Sequence, residues 1–283
     1  MRTHLALAYC CMSIALCPLL AQSLSDQLDC ACATSRATYA EDLALLPTLL
    51  RNSPTHRAGT FVEIGALDGF TFSNTLMLER CFGWHGVLIE ANPLNFAKLN
   101  ASGRPSVKVQ SAVCAADKDP SVVEFTVDGG PVAGQVGQLT RGHQHLWSHW
   151  NRAKGTMNVS CAPLQTILRR AGYDERSEFD LLSLDVEGAE ALVLSTVSTA
   201  MFKAVLIELD GTDKNKDEQA RKLLHAGGLR QAKHLRVTNS ELVFLREGEL
   251  EVGQPNHSMP NIAHSRSHSK VTPAQLESVI AGG

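Results

Sequence analysis

Residues 61–69 have the sequence Phe61-Val62-Glu63-Ile64-Gly65-Ala66-Leu67-Asp68-Gly69. The first four residues are mostly apolar and predict a short buried β-strand. Gly65 and Gly69 predict a tight turn in which the backbone can approach a ligand closely. A helix is predicted directly afterwards, over residues 71–82. The turn therefore lies at the carboxyl end of a strand, where open α/β sheets bind their ligands.

The same alternation of strand and helix continues outward from this unit. Further strands are predicted at residues 86–90, 107–113, 122–127, 179–184 and 204–209, and helices at residues 93–99, 163–171, 189–194 and 217–226. The last two strands, at 229–237 and 241–246, are joined by a short turn and predict an antiparallel hairpin. This pattern predicts an α/β fold with a mostly parallel sheet and helices on both faces.

The first turn and the end of the second strand indicate a nucleoside-containing ligand. Glu90 ends that strand, 25 positions after Gly65, where a carboxylate can accept hydrogen bonds from ribose hydroxyls. A dinucleotide site would need Gly-x-Gly-x-x-Gly, so that backbone N–H groups meet the pyrophosphate. Here the spacing is Gly-x-x-x-Gly, and Asp68 would repel a pyrophosphate. Asp68 and Glu63 suit instead a ligand with an ammonium and a sulfonium; the alternative is a structural turn with incidental acids.

Four segments together resemble the FkbM family of S-adenosylmethionine-dependent methyltransferases. They are residues 61–69, quoted above, 72–75 (FSNT), 83–93 (GWHGVLIEANP) and 179–190 (FDLLSLDVEGAE). The resemblance covers roughly residues 59–247 and implies a Rossmann-like, seven-stranded class I methyltransferase fold. It also implies S-adenosylmethionine as cofactor and methyl transfer to an oxygen, less often another heteroatom, of a small molecule or sugar. Ala91 stands where proline is common in the family, a departure that leaves the cofactor acids intact.

The resemblance and the chemistry of the cofactor assign ten residues to its binding. Gly65 and Gly69 are expected to admit the methionine part, and Glu63 and Asp68 to face its ammonium. Glu90 is expected to hold the ribose. The remaining cofactor residues are Ser111 and Ala112, which are expected to border the adenine, and Ala66, Ala91 and Asn92, which adjoin the two turns.

Two acids after the fourth parallel strand, Asp185 and Glu187, are the predicted catalytic residues. This edge faces the transferred methyl in the methyltransferase fold, so either acid could accept the acceptor's proton. The sequence leaves two alternatives open. Glu187 and Glu190 could cap the following helix, where the dipole favours carboxylates, or Asp185 could hold magnesium with Glu208 or Asp210. We assign no metal site.

A histidine- and tryptophan-rich stretch, residues 143–150, lies in the long connection before residue 179. Such connections commonly cover the acceptor pocket, so Trp147 and Trp150 could contact a sugar or aglycone. An exposed polar loop is an equally good interpretation. The spacing of its three histidines is the one observation that supports a metal site in this stretch.

The amino terminus predicts entry into the secretory pathway. Residues 5–20 are almost wholly apolar and follow a short basic segment, a pattern typical of a signal peptide cleaved after Ala21 or after the small-residue run at 31–33. An uncleaved signal anchor is the alternative. Five of the eight cysteines remain after residue 21, so one cannot pair within the chain. Three Asn-x-Ser sequons begin at Asn100, Asn158 and Asn256.

The predicted organisation is a signal peptide (1–21), a helical lead-in (22–58), a methyltransferase domain (59–252) and a flexible tail (253–283) with a short helix at 273–280. Pro47 is expected to interrupt the lead-in helix. Lys+Arg is 26 against 29 for Asp+Glu, and aromatic residues are 5%, so we expect no nucleic-acid partner. The expected partner is a small-molecule or carbohydrate acceptor, with no membrane span beyond the signal segment. The competing function is a non-catalytic secreted or membrane-associated interaction protein that keeps the fold.

Overall fold

A computed structural model describes residues 23–51, 58–115, 117, 121–127, 130–140, 155–235, 238, 240–250 and 271–281. The predicted signal peptide, the histidine-rich stretch at 143–150 and the sequon at Asn256 lie outside these residues. No helix of the described ranges is both long and apolar enough to cross a membrane.

The strands form one large and one small sheet. In chain order they are β1 (Thr60–Ile64), β2 (His85–Glu90), β3 (Val107–Gln110), β4 (Ala112–Val113), β5 (Ser121–Thr126), β6 (Thr156–Ala162), β7 (Phe179–Leu184), β8 (Phe202–Glu208), β9 (Leu229–Gln231) and β10 (Glu241–Arg246). The large sheet has seven strands in the order β3-β2-β1-β7-β8-β10-β9. Its first five strands are parallel, and β10 runs antiparallel to both β8 and β9. The predicted seven-stranded α/β fold with a carboxyl-terminal antiparallel hairpin is therefore confirmed.

Helices cover both faces of the large sheet. They are α1 (Leu24–Thr34), α2 (Glu41–Arg51), α3 (Leu76–Phe82), α4 (Pro93–Ala101), α5 (Leu164–Arg170), α6 (Glu190–Leu194), α7 (Lys214–Ala226), α8 (Glu247–Leu250) and α9 (Pro273–Ala281). Alternate strand residues point to opposite layers: Phe61 packs in a core with α1 to α4 and α9, whereas Val62 packs in a core with α5 to α7. This period of two is what a strand buried on both faces requires.

The third predicted strand, residues 107–113, is wrong as a single element. The chain leaves the large sheet at Ser111, and β4 pairs instead with β6 in a three-stranded sheet of order β4-β6-β5. The β6 strand was not predicted, although its polar residues alternate with apolar ones as in a half-buried strand. A disulfide between Cys114 and Cys161 joins the small sheet next to the β4–β6 pair.

The helix predicted from residue 71 begins only at Leu76. The preceding residues are held in an irregular turn, because Ser73, Asn74 and Thr75 all donate hydrogen bonds to the carboxylate of Glu63. Because these side-chain and backbone groups are hydrogen-bonded to a buried carboxylate, their residues do not extend the helix.

Residues 22–58 contain α1 and α2, and α2 continues through Pro47, where an interruption was expected. The packing of its buried leucines in the core outweighs the hydrogen bond that proline cannot donate. A disulfide between Cys30 and Cys81 joins α1 to α3.

Residues 271–281 contain the short helix that the sequence predicted at 273–280 within the carboxyl-terminal tail. This helix, α9, packs against α1 and α2. Leu276 and Val271 are buried in the same core cluster as those helices, and Ile280 packs against it. These three apolar residues anchor a segment that was assigned to the tail on the composition of its neighbours.

Gly65 is the residue at which the ends of three strands meet. Its N–H donates to the carbonyl of Ile89, at 3.0 Å. A Cβ at position 65 would lie 2.1 Å from the backbone oxygen of Asp185, and φ is +88°. The turn after β1 can therefore fit between β2 and β7 only with glycine.

We predict that Gly65→Ala destabilises the protein by about 2–5 kcal/mol, since it combines left-handed strain with a backbone collision. The matched control is Gly83→Ala, at φ +68° with no atom within 4 Å of the added Cβ. This control should cost only about 1–2 kcal/mol. Urea unfolding of both variants measures the difference, and equal losses of stability would contradict the packing described for Gly65.

Candidate active site

A cleft of about 900 Å³ opens at the carboxyl ends of β1, β2 and β7. The small sheet contributes one wall through Phe125 and the segment that follows it, including Ala133 and Gln135. Most of the predicted site residues line this cleft, namely Glu63, Gly65, Glu90, Ala91, Ser111, Ala112, Asp185 and Glu187. The structure therefore brings together residues that lie more than 120 positions apart in the chain.

Glu63 is held in a buried network at the β1 end of the cleft. Its carboxylate accepts hydrogen bonds from Ser73 Oγ at 3.0 Å, the Asn74 N–H at 2.9 Å and Thr75 Oγ1 at 2.6 Å. Arg104 Nη1 lies 3.4 Å from the same carboxylate. Glu63 thus orders the loop that borders the cleft, in addition to lining the cleft itself.

Arg104 is a central residue that the sequence did not reveal. Its guanidinium is buried, and its Nε lies 2.7 Å from a carboxylate oxygen of Glu79. Its Nη1 donates to the carbonyl of Gly69 at 3.1 Å. A lone arginine in a Gly-Arg-Pro turn has no sequence signature for such a role, because all its partners come from other elements.

Three predicted cofactor residues shape the turn rather than line the cleft. The Asp68 carboxylate accepts from the N–H groups of Phe70 and Thr71, at 2.8 and 2.7 Å. Partial burial acts to raise the pKa of Asp68, but these hydrogen bonds outweigh it and the pKa is lowered. Gly69 allows close packing, since a Cβ there would lie 2.8 Å from Leu99. Ala66 is buried in the apolar core.

Glu90 is buried at the end of β2 and lines the cleft. Its carboxylate accepts from the N–H groups of Leu67 and Asn92, both at 2.8 Å. Burial raises the pKa of Glu90 to about 7, although these hydrogen bonds oppose the shift. The carboxylate therefore joins the turns after β1 and β2 and still faces the cleft.

Asn92 was predicted to bind the cofactor, but its side chain caps α4. Its Oδ1 accepts from the Leu94 N–H at 2.9 Å, and its Nδ2 donates to the Thr126 carbonyl at 3.3 Å. The side chain is fully buried and links the helix start to the small sheet. Its contribution to the cleft is thus structural.

Two other asparagines that line the cleft were missed. Asn74 donates through Nδ2 to Ser183 Oγ at 3.1 Å, and Asn95 donates through Nδ2 to the Gly130 carbonyl at 3.3 Å. The amide oxygen of each is buried and has no hydrogen-bond partner among the residues that the structure describes. Asn74 lies in the FSNT segment, which is the only sequence signal that could have found either residue.

The chain leaves the large sheet at Ser111, which lines the cleft. Ser111 Oγ donates to the carbonyl of Ala112 at 2.8 Å, and both residues are buried lining residues. Because the backbone leaves the large sheet here, the space beyond the end of β2 is bounded by small side chains.

Asp185 and Glu208 form a hydrogen-bonded carboxyl pair at the ends of β7 and β8. The side chain of Asp185 is exposed to the cleft, and the protein around its other sides reduces its hydration, which raises its pKa. Burial, followed by the charge of Asp185, raises the pKa of Glu208 to about 9. Two adjacent carboxyls of this kind share a proton, because they cannot both ionise easily.

Glu187 and Glu190 have different roles. Glu190 Oε1 accepts from the N–H groups of Val186 and Gly188, both at 3.1 Å, which lie in the turn before α6, so it holds this turn and does not cap the helix, whose start has no side-chain cap. Glu187 lines the cleft and has φ +58°, an uncommon conformation for glutamate. Burial and the nearby charges of Asp185 and Glu208 raise the pKa of Glu187 to about 10.

The residues of the cleft fit the ligand that the sequence predicts. The part of the lining that the structure describes contains four carboxyl groups and no lysine, arginine or histidine. Acceptor oxygens suit an ammonium and a sulfonium at the Glu63 end and hydroxyl groups at the Glu90 end, whereas phosphates would be repelled. Nowhere in the described ranges do three or more histidine, cysteine, aspartate or glutamate side chains form a group that could hold a metal ion.

Several solved structures are similar to this chain at low sequence identity. An O-methyltransferase from Bacillus cereus in complex with SAH has 11% identity and a TM-score of 0.36, over 82% of this chain and 93% of that one. A TehB-like SAM-dependent methyltransferase from Corynebacterium glutamicum has 12% identity and a TM-score of 0.34, over 71% and 87%. No curated protein matches the chain in sequence.

The family assignment depends on the sequence match to a domain. The model described as Methyltransferase FkbM domain matches residues 63–236, which is more than half of the chain and includes both turns and the acids after β7. The chain therefore belongs to the FkbM methyltransferase family and is an S-adenosylmethionine-dependent methyltransferase.

Proposed function

We propose that the enzyme transfers a methyl group to a hydroxyl oxygen of a small molecule or sugar, and that Asp185 accepts the hydroxyl proton. The observation that carries this proposal is the Asp185–Glu208 carboxyl pair, whose Asp185 member opens into the cleft. Alcohol hydroxyls are weak acids, so their methylation benefits from a general base.

The cofactor, when bound, supplies a methyl group on a positively charged sulfur. The protein's task is then to orient the acceptor and to remove its proton, since direct displacement depends strongly on alignment. Asp185 is placed to take the proton, and a protonated Glu208 donates a hydrogen bond that favours the ionised form of Asp185. The carboxyl groups of the cleft disfavour an anionic acceptor and support a neutral hydroxyl compound.

The acceptor class can be tested with methyl-labelled S-adenosylmethionine and a panel of neutral sugars, phenols, amines and carboxylic acids. We expect the labelled methyl group to appear in the hydroxyl compounds, as methyl ethers that are stable to mild alkali. Label confined to amines, or to esters that alkali cleaves, would contradict O-methylation of a hydroxyl.

Asp185→Asn should lower turnover on the labelled acceptor by roughly 10²–10⁴-fold, because the amide cannot accept the proton. The matched variant Glu208→Gln keeps a hydrogen-bond donor beside Asp185 and should retain most activity. Affinity for the cofactor, measured by calorimetry, should be similar in both. Full turnover in Asp185→Asn would remove this residue from the mechanism.

Turnover of the wild type should rise with pH. The pKa of Asp185 is raised by burial, so the proton-free base is scarce in acid and grows as pH increases. Glu208→Gln keeps a neutral hydrogen-bond donor beside Asp185, as the protonated carboxyl does, and should leave this rise at nearly the same pH, whereas Glu208→Leu removes the donor and should move the rise to higher pH. Rates measured from pH 5 to pH 9 give the profiles, and an unchanged profile in Glu208→Leu would show that Glu208 does not favour the ionised form of Asp185.

We further propose that Glu90 holds the cofactor ribose, supported by its position in the cleft beyond β2. A hydrogen bond to a charged group contributes about 1.5–3 kcal/mol, so Glu90→Ala should weaken cofactor binding by roughly 30- to 1000-fold. Glu90→Gln should fall between. Asp68→Asn, which keeps an acceptor for the turn and removes a charge, should change affinity less than about threefold. Calorimetry tests this order, and a larger loss at Asp68 would favour a direct contact of Asp68 with the ammonium.

We also propose that the protein acts in the secretory pathway. Support comes from the apolar segment 5–20 and from two disulfides, Cys30–Cys81 and Cys114–Cys161, which persist in oxidising compartments. The sequon residues Asn100 and Asn158 are exposed. Cys30 belongs to a disulfide and α1 is capped at Ser23, which supports cleavage after Ala21 rather than after the small-residue run at 31–33.

Expressed in a eukaryotic cell, the protein should therefore be secreted or luminal and begin at Gln22. Of the cysteines that the structure describes, Cys32 is the one outside the two disulfides. Alkylation of the unreduced protein should therefore modify Cys32. Mass spectrometry of the intact protein, before and after reduction, measures both properties. A cytosolic protein that retains Met1 would contradict the proposal.

A further inference from the structure

Asn95 is a buried polar residue of the cleft whose hydrogen bonding is incomplete. It lies in the first turn of α4, is 2% exposed, and lines the cleft beside Glu90. Its Nδ2 donates to the Gly130 carbonyl at 3.3 Å, and its amide also hydrogen-bonds the Glu90 carboxyl group. Its Oδ1 has no hydrogen-bond partner within the described ranges of the chain.

The neighbours of Asn95 fix which amide atom is left unpaired. Exchanging the oxygen and nitrogen would place Oδ1 against the Gly130 carbonyl and the Glu90 carboxyl, which are both acceptors. The present orientation is therefore the favourable one, and the oxygen is the atom that needs a donor. An unsatisfied buried acceptor is unfavourable and uncommon in folded proteins. Its presence in a binding cleft indicates that a ligand supplies the donor.

The surroundings of Asn95 indicate the chemistry of that donor. Glu90 and Asn95 present a carboxylate and a neutral amide oxygen side by side, so the matching ligand carries two adjacent donors. Small residues close this part of the cleft, among them Ala91, Ser111 and Gly130. A vicinal diol satisfies both acceptors at once, whereas a phosphate satisfies neither.

We propose, on the basis of the ribose role proposed above for Glu90, that Asn95 Oδ1 accepts a hydrogen bond from one ribose hydroxyl of S-adenosylmethionine, while Glu90 accepts from the other. Asn95 is then a positioning residue that selects an intact ribose diol. Each acceptor should recognise a different hydroxyl, and this division is what separates a direct contact from an indirect effect through Glu90.

The test is a calorimetric cycle on the full-length protein with S-adenosylhomocysteine, its 2′-deoxy and 3′-deoxy analogues, and the inosine analogue that lacks the adenine amino group. Asn95→Ala should weaken binding of S-adenosylhomocysteine by about 3- to 10-fold, as expected for a neutral hydrogen bond. Against one deoxy analogue the variant should show no further loss, because that ligand already lacks the contact. Discrimination against the other deoxy analogue should remain. Asn100→Ala, an exposed asparagine of the same helix, is the control and should bind like the wild type.

Three outcomes would overturn the proposal. Unchanged affinity in Asn95→Ala would exclude the hydrogen bond. Reduced discrimination against both deoxy analogues would show that Asn95 acts only by holding Glu90. Loss of discrimination against the inosine analogue alone would place the contact at the adenine amino group. Thermal melting without ligand checks the fold, and Asn95→Ser, which keeps a small polar side chain, takes the place of the alanine variant in the same cycle if that variant does not fold.

Discussion

The buried guanidinium of Arg104 is the interaction on which the architecture of the cleft depends. It lies between the carboxylates of Glu63, on β1, and Glu79, on α3. Removing one partner of a buried ion pair typically costs about 3–5 kcal/mol, because a charge remains uncompensated. Since the same network holds Ser73 and Thr75, Arg104 also fixes the loop that borders the cleft.

The central strands of the large sheet could be predicted from the sequence because parallel strands buried on both faces are apolar throughout, as in Val87-Leu88-Ile89. The location of Gly65 and Glu90 in the cleft could be predicted because each lies at the carboxyl end of a predicted strand. The roles of Asp68 and Asn92 were missed for the opposite reason: their own nearby backbone N–H groups occupy their oxygens. Local sequence shows that a polar residue is present but not which partner it takes.

Long-range partners explain the other differences. The residues before Leu76 do not form a helix because they are hydrogen-bonded to Glu63. The strand that leaves the large sheet at Ser111 continues in a second sheet, where it pairs with a strand more than 40 residues away. Asn95 was unremarkable in sequence because its significance lies in an oxygen left without a partner after folding. Such properties arise only when several elements are assembled.

The packing of α9 gives the chain a closed arrangement in which its last helix covers its first two. Contacts between Leu276 and the core around Leu28 and Leu43 span nearly the whole polypeptide. Closing a loop of this length costs conformational entropy. Such long-range contacts also raise the contact order of the protein, which slows folding. During synthesis, the sides of α1 and α2 that pack against α9 therefore stay uncovered until residues 271–281 have left the ribosome, and a chain that ends before these residues leaves apolar side chains of both helices exposed.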